Sequence, residues 1–176
     1  MTDTAANPGR LMRPDGGSIP IPTDADILAA ASEFRSALDA IDRVHWDRIY
    51  IDRFPHGACG HCAELLAFYL QRRFGITADY VCKEFYDSEG ARETSHAWLE
   101  WNGLIIDISG DQFGWPAVIV TRQSSLHARG EDELRHPFSL DPAWWGQQCA
   151  GVWAAAQQKL AAGSPATIQD DRNKEP

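Results

Sequence analysis

The dipeptide Asn102-Gly103 lies between two runs of strand-forming residues and restricts the fold more than any other part of the chain. The first run is Ser-His-Ala-Trp-Leu-Glu-Trp at residues 95–101, and the second is Leu-Ile-Ile-Asp-Ile-Ser at residues 104–109. Asn-Gly between such runs favours a two-residue type I′ turn, because both turn positions need a positive φ angle. The sequence therefore predicts an antiparallel β-hairpin over residues 95–109.

The two-residue turn also determines which residues of the two strands face each other. Pairing starts at Trp101 with Leu104 and continues outward until Trp98 lies opposite Asp107. Because side chains alternate between the two faces of a strand, His96 lies on the same face as Trp98 and Asp107. Diagonal neighbours on adjacent strands are about 7–8 Å apart, so we expect the His96 imidazole to contact the Asp107 carboxylate.

A second pattern predicts a helix that begins near Cys59. Downstream of this cysteine, apolar residues recur with the i, i+3, i+4, i+7 spacing of one buried helical face. They are Cys62, Leu65, Leu66, Tyr69 and Leu70. Cys59 then lies in the first helical turn, where unpaired N–H groups and the helix dipole favour negative charge. We therefore expect the pKa of this thiol to fall below the reference value of about 8.5, as in nucleophilic cysteines.

Composition limits the class of protein. The 176 residues are 44% hydrophobic and 23% charged, which is typical of a single globular domain. The net charge of −9 argues against nucleic acid as a partner, since a phosphate backbone requires clustered cations. No apolar run approaches the roughly 20 residues of a membrane span, and no secretory signal is recognisable. We expect a cytoplasmic protein that does not bind membranes and whose four cysteines are thiols.

The chain divides into a central domain and two ends of different composition. Residues 1–22 are rich in proline and glycine and carry few large apolar side chains, so we predict a flexible or extended arm without regular structure. Residues 164–176 are predicted to be a disordered tail. Residues 23–163 are predicted to form one catalytic domain.

Several further elements are expected within this domain. Thr23 and Asp26 resemble a capping box that begins a helix over residues 24–43. Additional strands are predicted at residues 46–52, 78–86 and 117–121. The polar stretch 123–137 is predicted to be irregular. Asp141 and Pro142 begin a last helix, one face of which carries Trp145, Cys149, Val152, Ala156 and Leu160.

Cys59, His96 and Asp107 meet the chemical requirements of a catalytic triad. A triad needs a thiol that ionises readily, an imidazole that takes and returns a proton, and a carboxylate that fixes the imidazole tautomer. The predicted helix and hairpin supply these three groups. The expected fold is α+β, with the nucleophile helix packed on an antiparallel sheet.

Three segments of the chain resemble the transglutaminase-like superfamily of papain-like cysteine enzymes. They are Gly-x-Cys-Gly at the helix start, His-Ala-Trp-Leu-Glu on a strand, and Asp-x-x-x-Asp-Gln-Phe after the hairpin, together spanning about a third of the chain. They are most similar to small bacterial members of unassigned substrate. The resemblance implies a transglutaminase-like core with Cys59 as nucleophile, His96 as general base and acid, and Asp107 as the orienting residue.

The expected reaction is acyl transfer through a thioester. Cys59 would attack a peptide, a protein side-chain amide or a small amide and form a thioester, which water resolves, and no cofactor is needed. Transfer of the acyl group to an amine is the alternative outcome with the same triad.

Other functions use some of the same residues. Cys59-Gly60-His61-Cys62 is also the motif of disulfide isomerases, which makes a thiol-disulfide oxidoreductase an alternative. A zinc site could use His56, Cys59, His61 and Cys62, although four ligands within seven residues would be crowded. A non-catalytic binding module would keep His96 and Asp107 as a structural polar pair.

The remaining cysteines and histidines are given structural roles. Cys62, Cys82 and Cys149 are predicted to be small buried hydrophobic residues. Four of the five histidines outside the predicted triad are predicted to lie on the surface or in loops. These are His45, His56, His127 and His136.

Overall fold

A computed structural model of the chain describes residues 10–12, 18–46 and 53–163. The N-terminal part contains two short antiparallel strands, β1 (Arg10–Met12) and β2 (Ser18–Pro20), so the prediction that residues 1–22 lack regular structure was wrong for these residues. Proline is tolerated in β2 because it is the last residue of a strand at a sheet edge. The predicted tail at 164–176, and residues 47–52 of the predicted strand at 46–52, lie outside the described residues.

The described part of the chain contains four α-helices. They are α1 (Asp24–Asp39), α2 (Cys59–Phe74), α3 (Pro142–Gln148) and α4 (Ala150–Gly163). The capping box of Thr23 and Asp26 begins α1 as predicted. This helix ends before residue 43 because Asp42 caps a new 3₁₀ turn, accepting a hydrogen bond from the Val44 N–H.

The other helices agree with the sequence patterns, with one break. Gly75, at φ 70°, ends α2 in the left-handed conformation expected of a terminal glycine. Asp141 caps α3 with Pro142 in its first turn, as predicted. The single predicted last helix is interrupted at Cys149, between two glycines that weaken helical structure, Gly146 and Gly151.

Five strands form one antiparallel sheet in the order β6-β5-β4-β3-β7. Their bounds are β3 Asp79–Tyr86, β4 Arg92–Trp101, β5 Leu104–Asp107, β6 Ile119–Thr121 and β7 Glu131–Pro137. The fold is therefore α+β, as expected. Strand β7 contradicts the prediction of irregular structure at 123–137. All residues of β7 are exposed, and the strand lacks the apolar alternation of a half-buried strand. It is held in the sheet by its backbone pairing with β3.

The predicted hairpin is confirmed where β4 and β5 pair. Trp101 pairs with Leu104 and Leu99 with Ile106. Both turn residues have the positive φ angles of a type I′ turn, 48° at Asn102 and 73° at Gly103.

The two faces of this sheet are covered by different parts of the chain. Leu99 and Ile106 on one face are fully buried in a core that includes apolar residues of α1, α2 and α4. The other face carries His96, Trp98 and Asp107, which are also buried. Loops that follow β5 and β6 cover this second face, and the candidate site lies there.

Candidate active site

Cys59 is the first residue of α2, as the sequence predicted. The residue before the helix, Ala58, makes no side-chain cap to the N–H groups of the first turn. Burial of Cys59 opposes ionisation, but a hydrogen bond to His96 and the charge of that imidazole favour the thiolate. The backbone N–H groups of Ala97 and Gly60 act in the same direction. Together they hold the pKa of the Cys59 thiol below its ordinary value.

His96 is fully buried in β4 and contacts the predicted carboxylate. Its Nε2 donates a hydrogen bond to Asp107 Oδ2 at 2.9 Å. Burial alone would lower the pKa of His96, but the hydrogen bonds to Asp107 and Cys59 and their negative charges raise it to about 9. His96 is therefore positively charged at neutral pH, between a carboxylate and a thiol.

Asp107 is the most extensively hydrogen-bonded residue of this group. Its Oδ1 accepts from the Ser109 N–H at 2.8 Å and from the Ser109 hydroxyl at 3.2 Å. Burial favours the neutral acid, but hydrogen bonds from His127 and His96, the charge of His96 and the Ser109 N–H hold the pKa of Asp107 well below its usual range. Asp107 is therefore a stable anion in a site that excludes water.

His127 was predicted to lie on the surface or in a loop; it lies in the segment between β6 and β7, but its burial corrects the expectation of a surface position. The side chain is 2% exposed, and its Nε2 lies 3.3 Å from the same Oδ2 atom of Asp107 that His96 contacts. His127 begins a short 3₁₀ turn in the stretch 123–137, whose polar composition gave no sign of burial. The ordering of this stretch depends on pairing between β3 and β7, which are distant in sequence.

The second nitrogen of His96 has a polar neighbour that sequence reasoning assigned no role. Because Nε2 is engaged by Asp107, Nδ1 is the nitrogen available to Cys59. The Gln112 side-chain nitrogen lies 3.2 Å from Nδ1 and donates to the Ser109 carbonyl at 3.0 Å. Gln112 belongs to the Asp-x-x-x-Asp-Gln-Phe motif, which marked the segment without indicating this contact.

A buried arginine holds the loop that carries Gln112. Arg35 of α1 donates to the Ile108 carbonyl at 2.7 Å and forms two hydrogen bonds to Asp111, at 2.8 and 2.7 Å. The same loop contains Gly110, where an added Cβ would lie 2.7 Å from the Pro116 carbonyl oxygen and 3.1 Å from Asp107 Oδ2. Only glycine permits this close approach of residue 110 to the Pro116 carbonyl oxygen.

Aromatic rings enclose the imidazole of His96. The rings of Phe113 and Trp115 pack edge-on against it, with centroid distances of 5.0 and 5.5 Å. Both rings also border a cavity of about 170 Å³. The residues lining it are Phe85, Glu93, Thr94, Phe113, Trp115 and Arg129. A cavity with aromatic and charged walls thus adjoins the aromatic shell of the His96 imidazole.

The other cysteines differ from Cys59. All four cysteines of the chain lie in its described part and are free thiols, as expected. Cys62 is fully buried, and burial raises its pKa well above the ordinary value. Cys149 is also buried, with a pKa raised to about 12 by burial. Cys82 was predicted to be buried, but it lies on β3 where the sheet is only partly covered and is half-exposed.

The alternative zinc site considered from the sequence differs from the group of potential ligands that the structure brings together among its described residues. Among the described residues, the group whose potential ligand atoms all lie within 4.8 Å of one another is His96, Asp107 and His127. The alternative set of His56, Cys59, His61 and Cys62 does not form such a group there. The ligand atoms of the first group are already within hydrogen-bonding distance of one another.

The other histidines agree with their predictions where they are described. His56 and His136 are exposed, and His136 stacks on Tyr80 with a centroid distance of 5.1 Å. The side chain of His45 lies outside the described part of the chain.

Comparison with known proteins does not assign this chain to a family or a function. The chain matches no protein-family model, no curated protein and no solved structure. Among the described helices, none combines the length and apolar composition needed to cross a bilayer. The transglutaminase-like resemblance therefore depends on the sequence motifs alone.

Proposed function

We propose that this protein is a cytoplasmic, cysteine-dependent acyl-transfer enzyme with a transglutaminase-like core, in which Cys59, His96 and Asp107 form the triad. The observation that carries the proposal is the buried 2.9 Å contact between His96 and Asp107, and the pKa directions, lowered at the Cys59 thiol and raised at the His96 imidazole, agree with it. A thiolate next to an imidazolium is the reactive form of a cysteine nucleophile. The 2.9 Å hydrogen bond from His96 to Asp107 gives the imidazole a fixed orientation.

The proposed reaction begins with attack of the Cys59 thiolate on an amide carbonyl. The Cys59 N–H at the helix start and the Gln112 amide would donate to the developing oxyanion. His96 then transfers its proton to the leaving nitrogen as the carbon–nitrogen bond breaks, leaving a thioester on Cys59. Water gives a proton to His96 and attacks the thioester, which releases the acid and restores the thiolate–imidazolium pair.

The surroundings support a peptide, a protein side chain or a small amide as substrate. The cavity of about 170 Å³ bordered by Phe113 and Trp115 is large enough to receive a side chain of the substrate, since cavities of about 150 Å³ bind benzene. A net charge of −9 disfavours nucleic acid as a substrate.

Hydrolysis of the thioester is the favoured outcome, and transfer of the acyl group to an amine is the alternative. The two outcomes are separated by turnover of p-nitrophenyl acetate with and without a primary amine. Hydrolysis releases acetate, whereas transfer gives the acetylated amine.

Alkylation of Cys59 tests the proposal without a known substrate. Iodoacetamide modification of each cysteine is followed by mass spectrometry between about pH 5 and 9, using the ordinary thiol pKa of about 8.5 as reference. At pH 6 we expect Cys59 to react at least about tenfold faster than an ordinary thiol, because the hydrogen bond to His96 and the charge of that imidazole favour its thiolate. His96→Ala should abolish this excess, whereas His136→Ala, at an exposed histidine, should preserve it. A Cys59 rate that follows the ordinary pKa in all three proteins would refute the proposal.

A further inference from the structure

Asp107 contacts two histidines through one oxygen atom, although the proposed triad uses only one of them. His96 Nε2 and His127 Nε2 lie 2.9 and 3.3 Å from Oδ2. All three side chains are at most 2% exposed. A buried histidine that adds a hydrogen bond to a catalytic carboxylate calls for an explanation, because burial of a polar side chain is unfavourable without a compensating interaction.

The contacts of His127 define which of its nitrogens carries the proton. A carboxylate only accepts hydrogen bonds, so Nε2 must be protonated to bind Asp107. The other nitrogen, Nδ1, lies 2.7 Å from the Ser124 hydroxyl, which in turn accepts a hydrogen bond from the His127 N–H at 3.3 Å. Ser124 therefore fixes the orientation in which Nε2 points at Asp107.

Packing holds the same ring in place. The Trp98 ring meets the His127 ring edge-on at a centroid distance of 4.6 Å, and Trp115 does so at 5.5 Å. The turn carrying His127 ends at Gly130, where an added Cβ would lie 2.7 Å from the Lys83 Cβ of β3. The turn can approach the sheet this closely only because residue 130 is glycine.

We propose that His127, oriented by Ser124, is a positioning residue that fixes the Asp107 carboxylate and through it the His96 imidazole. This inference deepens the proposed function and rests on it. Ser109 holds Oδ1 and His127 holds Oδ2, so the plane of the carboxylate is defined from both sides. His96 then meets an acceptor that cannot rotate, and the imidazole keeps the orientation that Cys59 requires.

The test compares two substitutions of similar size at residue 127. His127→Phe keeps a ring against Trp98 but removes the hydrogen bond, while His127→Gln keeps an N–H donor near the position of Nε2. The measured quantity is the rate of Cys59 alkylation by iodoacetamide at pH 6 in the full chain. We expect the Phe variant to react about tenfold or more slowly, and the Gln variant to stay within about threefold of the unsubstituted protein.

A milder substitution, Ser124→Ala, provides a second test of the same alkylation rate. It should slow alkylation about threefold in the unsubstituted protein, because His127 loses its orienting partner. In the His127→Gln background it should have no further effect, since the two residues act through one contact. If His127→Phe fails to fold, as judged by thermal unfolding, the comparison of Ser124→Ala in the two backgrounds tests the positioning role of His127 instead.

The possible outcomes separate this inference from the proposed function. If Cys59 of the unsubstituted protein is not activated, the proposed function fails first. If Cys59 is activated and neither His127→Phe nor Ser124→Ala changes its rate, only the positioning role is overturned. Stoichiometric Zn²⁺ binding by calorimetry that is lost in His127→Gln would also overturn it, because His96, Asp107 and His127 would then be metal ligands.

Discussion

At the scale of single residues, the ionisation of each site group depends on its neighbours more than on its own burial. Burial disfavours charge at Cys59, His96 and Asp107, yet all three shift toward the charged form. Each charge therefore depends on at least one of the others for its stability. Substitution of one member leaves its partners as uncompensated buried charges, which is costly.

Asp107 predicts a specific acid dependence of stability. Its pKa is depressed in the folded protein, so it contributes stability above its unfolded pKa of about 3.9 that is lost as pH falls through the folded value. At these acidic pH values His96 is protonated in both the folded and the unfolded protein, so it does not change how the free energy of unfolding depends on pH. We expect the free energy of unfolding, measured with urea, to fall more steeply from about pH 5 to 2 in the unsubstituted protein than in Asp107→Asn. Equal slopes would mean that Asp107 is not held as an anion.

At the scale of elements, the site is assembled where a helix start, a hairpin and two loops meet. The hairpin supplies His96 and Asp107, and α2 supplies Cys59. The loop after β5 brings Gln112 to the imidazole, and the turn before β7 brings His127 to the carboxylate. The loops therefore complete a site that the regular elements begin.

Gly110 provides a test of how closely the loop after β5 must approach the hairpin. In Gly110→Ala the new methyl group would meet the Pro116 carbonyl oxygen at 2.7 Å and Asp107 Oδ2 at 3.1 Å. Such overpacking typically costs about 1–3 kcal/mol. We expect urea unfolding to show a loss of this size, together with slower alkylation of Cys59 because the carboxylate is displaced.

A matched glycine shows whether the effect is specific to that loop. Gly146→Ala lies in α3, where nothing is within 4 Å of the added Cβ. Alanine is favoured over glycine inside a helix by about 1 kcal/mol, so this variant should be as stable as the unsubstituted protein or more so. A Gly110→Ala protein that behaves like Gly146→Ala would show that the loop can move away without cost to the site.

At the scale of the whole molecule, the sequence predicts elements with local signals and misses those that depend on distant partners. Asn102-Gly103 is sufficient to place the hairpin, and the apolar spacing after Cys59 is sufficient to place α2. Strand β7 has no apolar alternation and becomes visible only through its pairing with β3. His127 was missed for the same reason, because its burial follows from the position of that strand.

Acyl transfer and thiol-disulfide exchange would both use Cys59, but only exchange needs a second thiol. The position of Cys62 in the folded molecule therefore bears on the choice between them. Cys62 is fully buried, and its pKa is raised well above the ordinary value by burial. We therefore expect Cys62→Ala to keep the Cys59 alkylation rate at pH 6, at a cost in unfolding free energy of about 1 kcal/mol. Cys59→Ser should abolish turnover of p-nitrophenyl acetate. Insulin reduction that is catalysed by the unsubstituted protein, lost equally in both variants and retained in Asp107→Asn would instead identify an oxidoreductase.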